Sequence, residues 1–116
     1  MRIIRLLLLL ALAAGGAAQA LAADAARGAV VARVRCGPCH YLDKPLKKVG
    51  PGLAGIYNRA PHIAGVPFER WDESALERWL SDPRKVKPNT RMFLPPLSAR
   101  DREDIIAWLK SRDAAE

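Results

Sequence analysis

An all-α fold of three main helices joined by long loops is what this sequence predicts, and three observations carry the prediction. Stretches 24–35, 71–80 and 99–111 set apolar residues at helical spacing, and each has a residue suited to cap its start: Asp24, Asp72 and Ser98. The segments between them are rich in proline and glycine, and the strand–helix alternation of an α/β domain is not found. The third observation is Cys36-Gly37-Pro38-Cys39-His40, which gives the helices something other than each other to close around.

Two thiols three positions apart and an imidazole directly after them match the requirements of covalent haem attachment. Both vinyl groups can be captured as thioethers while the histidine reaches the iron. No other cysteine occurs, so one haem uses both and none is left for a disulfide. Other chemistries share parts of the pattern. A thiol–disulfide exchange motif also spaces two cysteines this way, often with proline between them, but it normally follows a strand. A zinc site needs further ligands, and the only other histidine is His62. A chance match of three fixed positions is the remaining alternative.

The 116 residues carry a formal charge of +7 and are 50% hydrophobic, which describes one ordinary domain with no disordered tract. The beginning differs from the rest. Arg2 and Arg5 precede the apolar run Leu6 to Ala14, and the small-residue segment Gly15 to Ala23 follows. This order of basic, apolar and small-residue zones is that of a secretory signal, with Ala20-Leu21-Ala22 fitting the cleavage pattern. The expected division is therefore a leader at 1–22 and a domain at 23–116. An uncleaved anchor is the alternative, because between Arg5 and Asp24 only Gln19 is strongly polar. Gly15, Gly16 and the change from leucine to alanine favour a peptidase site. Either outcome exports the domain, in agreement with the side of the bacterial membrane on which haem is attached through thioethers.

Removal of the leader leaves a charge of about +5 on roughly 94 residues. A core of that size alone is only modestly stabilising, so a buried cofactor with a broad apolar face is a considerable help. The first helix delivers the cysteines, with Val30, Val31 and Val34 on its apolar side. Gly28 stands inside it at a cost of about 1 kcal/mol relative to alanine, which points to a close approach by another backbone or ring. A frayed first turn would explain it equally. After His40, Lys44, Pro45, Lys47 and Lys48 form an exposed loop, and Gly50-Pro51-Gly52-Leu53 marks a turn.

With these residues in view the chain resembles the class I c-type cytochromes, over Gly28 to Leu109. The resemblance implies a cytochrome c fold, three main helices plus loops wrapped around one covalently attached haem c. It implies that the carbonyl of Pro51 accepts a hydrogen bond from Nδ1 of the axial His40, orienting the ring and strengthening its donation to iron. It also assigns Arg59 to a haem propionate, where a solvated surface arginine is the alternative. The segment from Ala60 to Glu69 is shorter than in mitochondrial members, so that part of the pocket is expected to be more open or differently built.

The middle helix has Ala75, Leu76, Trp79 and Leu80 on one face, and Asp82-Pro83 ends it. By the resemblance, Trp71 donates its indole N–H to a propionate. Trp79 lies against the distal haem face where tyrosine is more usual, which removes a hydroxyl near the sixth ligand. Plain core packing is the alternative for both. Pro88, Thr90 and Met92 stand at the spacing the family uses to bring a thioether to the iron opposite the histidine, with Thr90 on the propionate side. Met92 is the only methionine once the leader is gone. A lone methionine is more often a core filler, but this one lies in a proline-rich loop. His62 is the other candidate sixth ligand.

Pro95-Pro96 keeps the next stretch a loop, and Ser98 with Asp101 forms a capping-box signature for the last helix. Ile105, Ile106, Trp108 and Leu109 are its apolar residues. In the family the aromatic matching Trp108 packs across the glycine matching Gly28, where first and last helices cross. Ala32 stands where a second aromatic is usual.

An iron with two protein ligands leaves no position for substrate, so the implied function is single-electron transfer through the haem edge by an exported, periplasmic carrier, not an enzyme. Thioether ligation and burial both favour ferrous iron and raise the potential. Lys44, Lys47, Lys48, Arg84, Lys85, Lys87 and Arg91 lie in the two loops flanking the ligands. They would steer acidic redox partners: a donor dehydrogenase or reductase complex, and a terminal oxidase or reaction centre. A generally basic surface is the alternative. Nucleic acid is a poor partner, given export and no stacking platform among the basic residues. A membrane association would follow only from a retained leader. Two other functions stay open: the dedicated haem subunit of a periplasmic dehydrogenase oxidising a sulfur compound or alcohol, and a haem enzyme or gas sensor in which Met92 dissociates.

Overall fold

The structure is a computed structural model, in which residues 22–114 are described. The expected leader lies outside these residues except for Ala22. Four helices and no strands form the described part: α1 (Ala25–Arg35), α2 (Glu73–Ser81), α3 (Pro83–Val86) and α4 (Ala99–Ala114). None is long and apolar enough to cross a membrane.

Each expected cap is in place. The Asp24 carboxylate accepts from Arg27 N at 2.9 Å, that of Asp72 from Ala75 N at 2.9 Å, and the Ser98 hydroxyl from Asp101 N at 3.0 Å. One expectation needs extending. Asp82-Pro83 stops α2 and at once starts α3, because the Asp82 side chain accepts from Arg84 N and Lys85 N while Pro83 takes the first helical position.

α1 packs along α4, and α4 packs on α2. The face α1 turns inward is Gly28, Ala32 and Cys36, with Val31 half-buried, whereas Val30 and Val34 are 54% and 70% exposed. The expected valine face is thus turned outward in part. Close crossing rewards small side chains over large apolar ones. At Gly28 a Cβ would overlap the Asp104 carbonyl, and Ile105 N would be 2.9 Å away. Backbone meets backbone here, so the Asp104–Ile105 peptide, not the Trp108 indole, accounts for the glycine.

Asp104 is buried at the same crossing. Its carboxylate accepts from Asp24 N at 2.7 Å and from Arg27 Nη1 at 2.7 Å, and Arg27 Nη2 donates to Asp101 at 2.7 Å. The α1 start and the α4 start are held together by charge-assisted bonds. The Asp24 N–H first, and then Arg27, hold the Asp104 carboxyl below the usual carboxylate range. The core proper lies between α2 and α4: Trp71, Leu76, Trp79, Leu80, Leu97, Ile105, Ile106 and Leu109 are all buried. Val66 and Phe68, from the shortened 60–69 segment, pack against it.

Candidate haem site

The end of α1 sets the first half of the site. Cys36 is the C-cap, its N–H donating to the Ala32 carbonyl, and the chain then turns so that His40 N donates to the Cys36 carbonyl at 2.9 Å. Cys36 is buried and Cys39 exposed, and both are free thiols. Burial pushes the Cys36 thiol up to about 11. It therefore stays protonated at neutral pH.

His40 is held from the far side of the loop. Its Nδ1 lies 2.6 Å from the Pro51 carbonyl, which can only accept, so Nδ1 is the donor and Nε2 is the nitrogen outside this bond. Gly50 lies flat against the same ring. A Cβ at Gly50 would overlap the imidazole, with Nδ1 at 2.8 Å. The turn itself is closed by Gly50 N donating to the Cys39 carbonyl at 2.8 Å and Leu53 N to the Tyr41 carbonyl at 2.9 Å. Gly50 as a wall for the imidazole is absent from the sequence reading. Its signal was the glycine directly before Pro51.

The second half is built on α2 and the loops beside it. Trp79 and Trp71 meet edge to face, with centroids 5.5 Å apart, and Phe68 tilts onto Trp71 at 5.6 Å. The Trp79 indole N–H donates to Met92 Sδ at 3.2 Å. Trp79 thus supplies a hydrogen-bond donor to the sulfur. Thr90 Oγ1 accepts from Met92 N at 3.2 Å and so shapes the methionine loop from within. Arg59 and Trp71 are joined by Trp71 N donating to the Arg59 carbonyl at 2.9 Å. Arg59 Nε is buried without a hydrogen-bond partner among the described residues. His62 is exposed, in contrast to the half-buried Met92.

The predicted residues therefore form two groups, Cys36, Cys39, His40 and Pro51 in one, and Arg59, Trp71, Trp79, Thr90 and Met92 in the other. No hydrogen bond or aromatic pair joins the groups among the described residues.

The cytochrome c family model matches residues 25–113. The chain belongs to the cytochrome c family. Cytochrome c of Euglena viridis is 33% identical over 98 residues, covering 76% of this chain and 96% of its own. Cytochrome c2 iso-2 of Magnetospirillum fulvum is 37% identical over 86 residues, 66% of this chain and 90% of its own. Among solved structures, cytochrome cH from Methylobacterium extorquens superposes with a TM-score of 0.61 at 33% identity, covering 76% of this chain and 98% of that one. This class I c-type cytochrome has the cytochrome c fold, binds one covalent haem c with its iron, and is a haem-based electron carrier.

The residues present fit that group. Two unpaired thiols are available for thioethers, an imidazole is fixed through Nδ1 with Nε2 outside that bond, and the buried Arg59 Nε is a donor in want of an acidic acceptor.

Proposed function

We propose that this cytochrome c is a periplasmic single-electron carrier in which Cys36 and Cys39 hold the haem, and His40 and Met92 are the axial ligands. The iron supplies the one-electron couple when bound. Everything else is work for the chain. Pro51 and Gly50 hold the His40 ring by hydrogen bond and by contact, so Nε2 has one direction in which to donate. Trp79 holds the Met92 sulfur, and Arg59 and Trp71 are the donors proposed for the propionates, with Thr90 beside them.

The observation that carries the ligand pair is the Trp79–Met92 contact: the thioether is drawn against α2 and the aromatic cluster, while His62 lies exposed. A core-filling methionine would need no donor. The leader pattern of residues 1–22 supports export. For partners, Lys44, Lys47, Lys48, Arg84, Lys85 and Arg91 are exposed, as a surface steering acidic redox proteins requires.

The optical spectrum of the oxidised protein tests this reading. An intact thioether ligand gives a weak charge-transfer band near the red end, which Met92→Ala abolishes and His62→Ala leaves in place. A redox titration should give a midpoint well above that of a bis-histidine haem. A strongly negative midpoint, or a band insensitive to Met92→Ala, overturns the ligand assignment.

A further inference from the structure

The loop that carries Met92 is held at two points by α2, and the second hold runs through α4. Downstream of Met92 the chain passes Phe93, Leu94, Pro95 and Pro96, none of which makes a hydrogen bond to the rest of the protein among the described residues. Leu94 packs half-buried against the core, and the first hydrogen-bonded anchorage is at Leu97. Arg102 Nη1 donates to the Leu97 carbonyl at 2.8 Å, and Arg102 Nε donates to Glu77 Oε1 at 2.7 Å. Glu77 stands two residues before Trp79, the donor to Met92 Sδ. A closed circuit results: Trp79 to Met92, along the loop to Leu97, across Arg102 to Glu77, and back along α2.

We propose that Arg102, bridging Glu77 and the Leu97 carbonyl, is a positioning residue that limits how often the Met92 thioether leaves the iron. The proposal rests on Met92 being the sixth ligand, as argued above. Pro95 and Pro96 have fixed φ and no N–H, so half of the four residues between Met92 and Leu97 have restricted backbones, and Leu94 is held against the core. A tether at one end of a short, partly restricted link narrows the range of the other end. Arg102 is only 18% exposed in its side chain, which preserves the strength of its bonds, whereas Glu77 at 43% is partly screened by solvent. Leu97 itself is buried, so its carbonyl has little water to fall back on when Arg102 is removed.

Imidazole binding to the ferric holoprotein reads the restraint directly. The added ligand enters only when the thioether is off, so its apparent affinity rises with the fraction of molecules in the open form. Arg102→Met should tighten imidazole binding about tenfold, the factor that one charge-assisted hydrogen bond carries. Arg102→Lys, which keeps the charge and loses the fork, and Glu77→Gln should each give a smaller tightening. Glu73→Gln, one turn earlier on α2 and outside the circuit, should give none. Thermal unfolding of the same variants separates the restraint from a general loss of stability. A lower melting temperature with unchanged imidazole affinity overturns the proposal, and so does tightening by Glu73→Gln equal to that by Glu77→Gln. If Arg102→Met does not fold, the Glu77→Gln and Arg102→Lys titrations decide alone. If wild type lacks the charge-transfer band and binds imidazole as tightly as Met92→Ala, the ligand reading itself has failed and the proposal falls with it.

Discussion

The Trp79 indole N–H points at the Met92 sulfur, 3.2 Å away. With Met92 as the proposed sixth ligand, a donor there draws lone-pair density from the thioether and disfavours ferric iron more than ferrous iron. Trp79→Phe, which keeps a ring and removes the N–H, should lower the midpoint potential by about 40 mV, the one-electron equivalent of a hydrogen bond contributing about 1 kcal/mol. Spectroelectrochemical titration of both proteins checks it, and an unchanged or raised midpoint counts against the contact as a tuning device.

At Gly50 the imidazole of His40 occupies the space a side chain would take. Gly50→Ala forces the ring off its line with the Pro51 carbonyl. We expect a loss of about 1–3 kcal/mol in the stability of the holoprotein, as for other overpacked sites, together with a perturbed low-spin spectrum. Alanine at the nearby exposed Val49 should leave the spectrum unchanged.

Gly28 sets the distance between α1 and α4. Since a Cβ would strike backbone and not a movable side chain, the helices must separate to admit it. Gly28→Ala should destabilise by about 3 kcal/mol or more in denaturant unfolding. Trp108→Leu, which leaves the backbone contact untouched, should cost less if the crossing depends on the Asp104 peptide.

Asp104 gives the protein an acid limb. Its carboxyl is held below its ordinary value by the Asp24 N–H first and by Arg27 next. The sign follows from linkage: this contribution is fully present above the unfolded value of about 3.9 and is lost as the pH falls through the lower folded value. Asp104→Asn should be less stable than wild type at neutral pH, and the gap should close as the solution is made more acid than about pH 4. Denaturant midpoints measured across that range check both statements.

Much of this architecture was legible in the residues themselves. Asp24, Asp72 and Ser98 announced three helix starts because a capping side chain acts on N–H groups two or three residues away, a purely local matter. The contact between His40 Nδ1 and the Pro51 carbonyl was implied by the family resemblance, and the structure contains it. α3 was missed because Asp82-Pro83 is both a stop and a start, and the stop is the more familiar use. The inward face of α1 is only half legible, since apolar size points to Val30 and Val34 whereas the tight crossing that Gly28 signals buries Ala32 and leaves Val34 out. The Glu77–Arg102 bridge, spanning 25 positions, and the Asp104 cluster were beyond reach: either partner alone is an ordinary charge on a helix surface.

The bond from Asp24 N to Asp104 joins positions 80 apart, close to the two extremes of the described chain. The first helix therefore cannot make this bond until Asp104, in the second turn of α4, is in place. Throughout that interval the docking face of α1, Cys36 included, has no α4 to cover it. Late closure of this kind leaves the attachment segment after α1 uncovered by α4 until that distant contact forms.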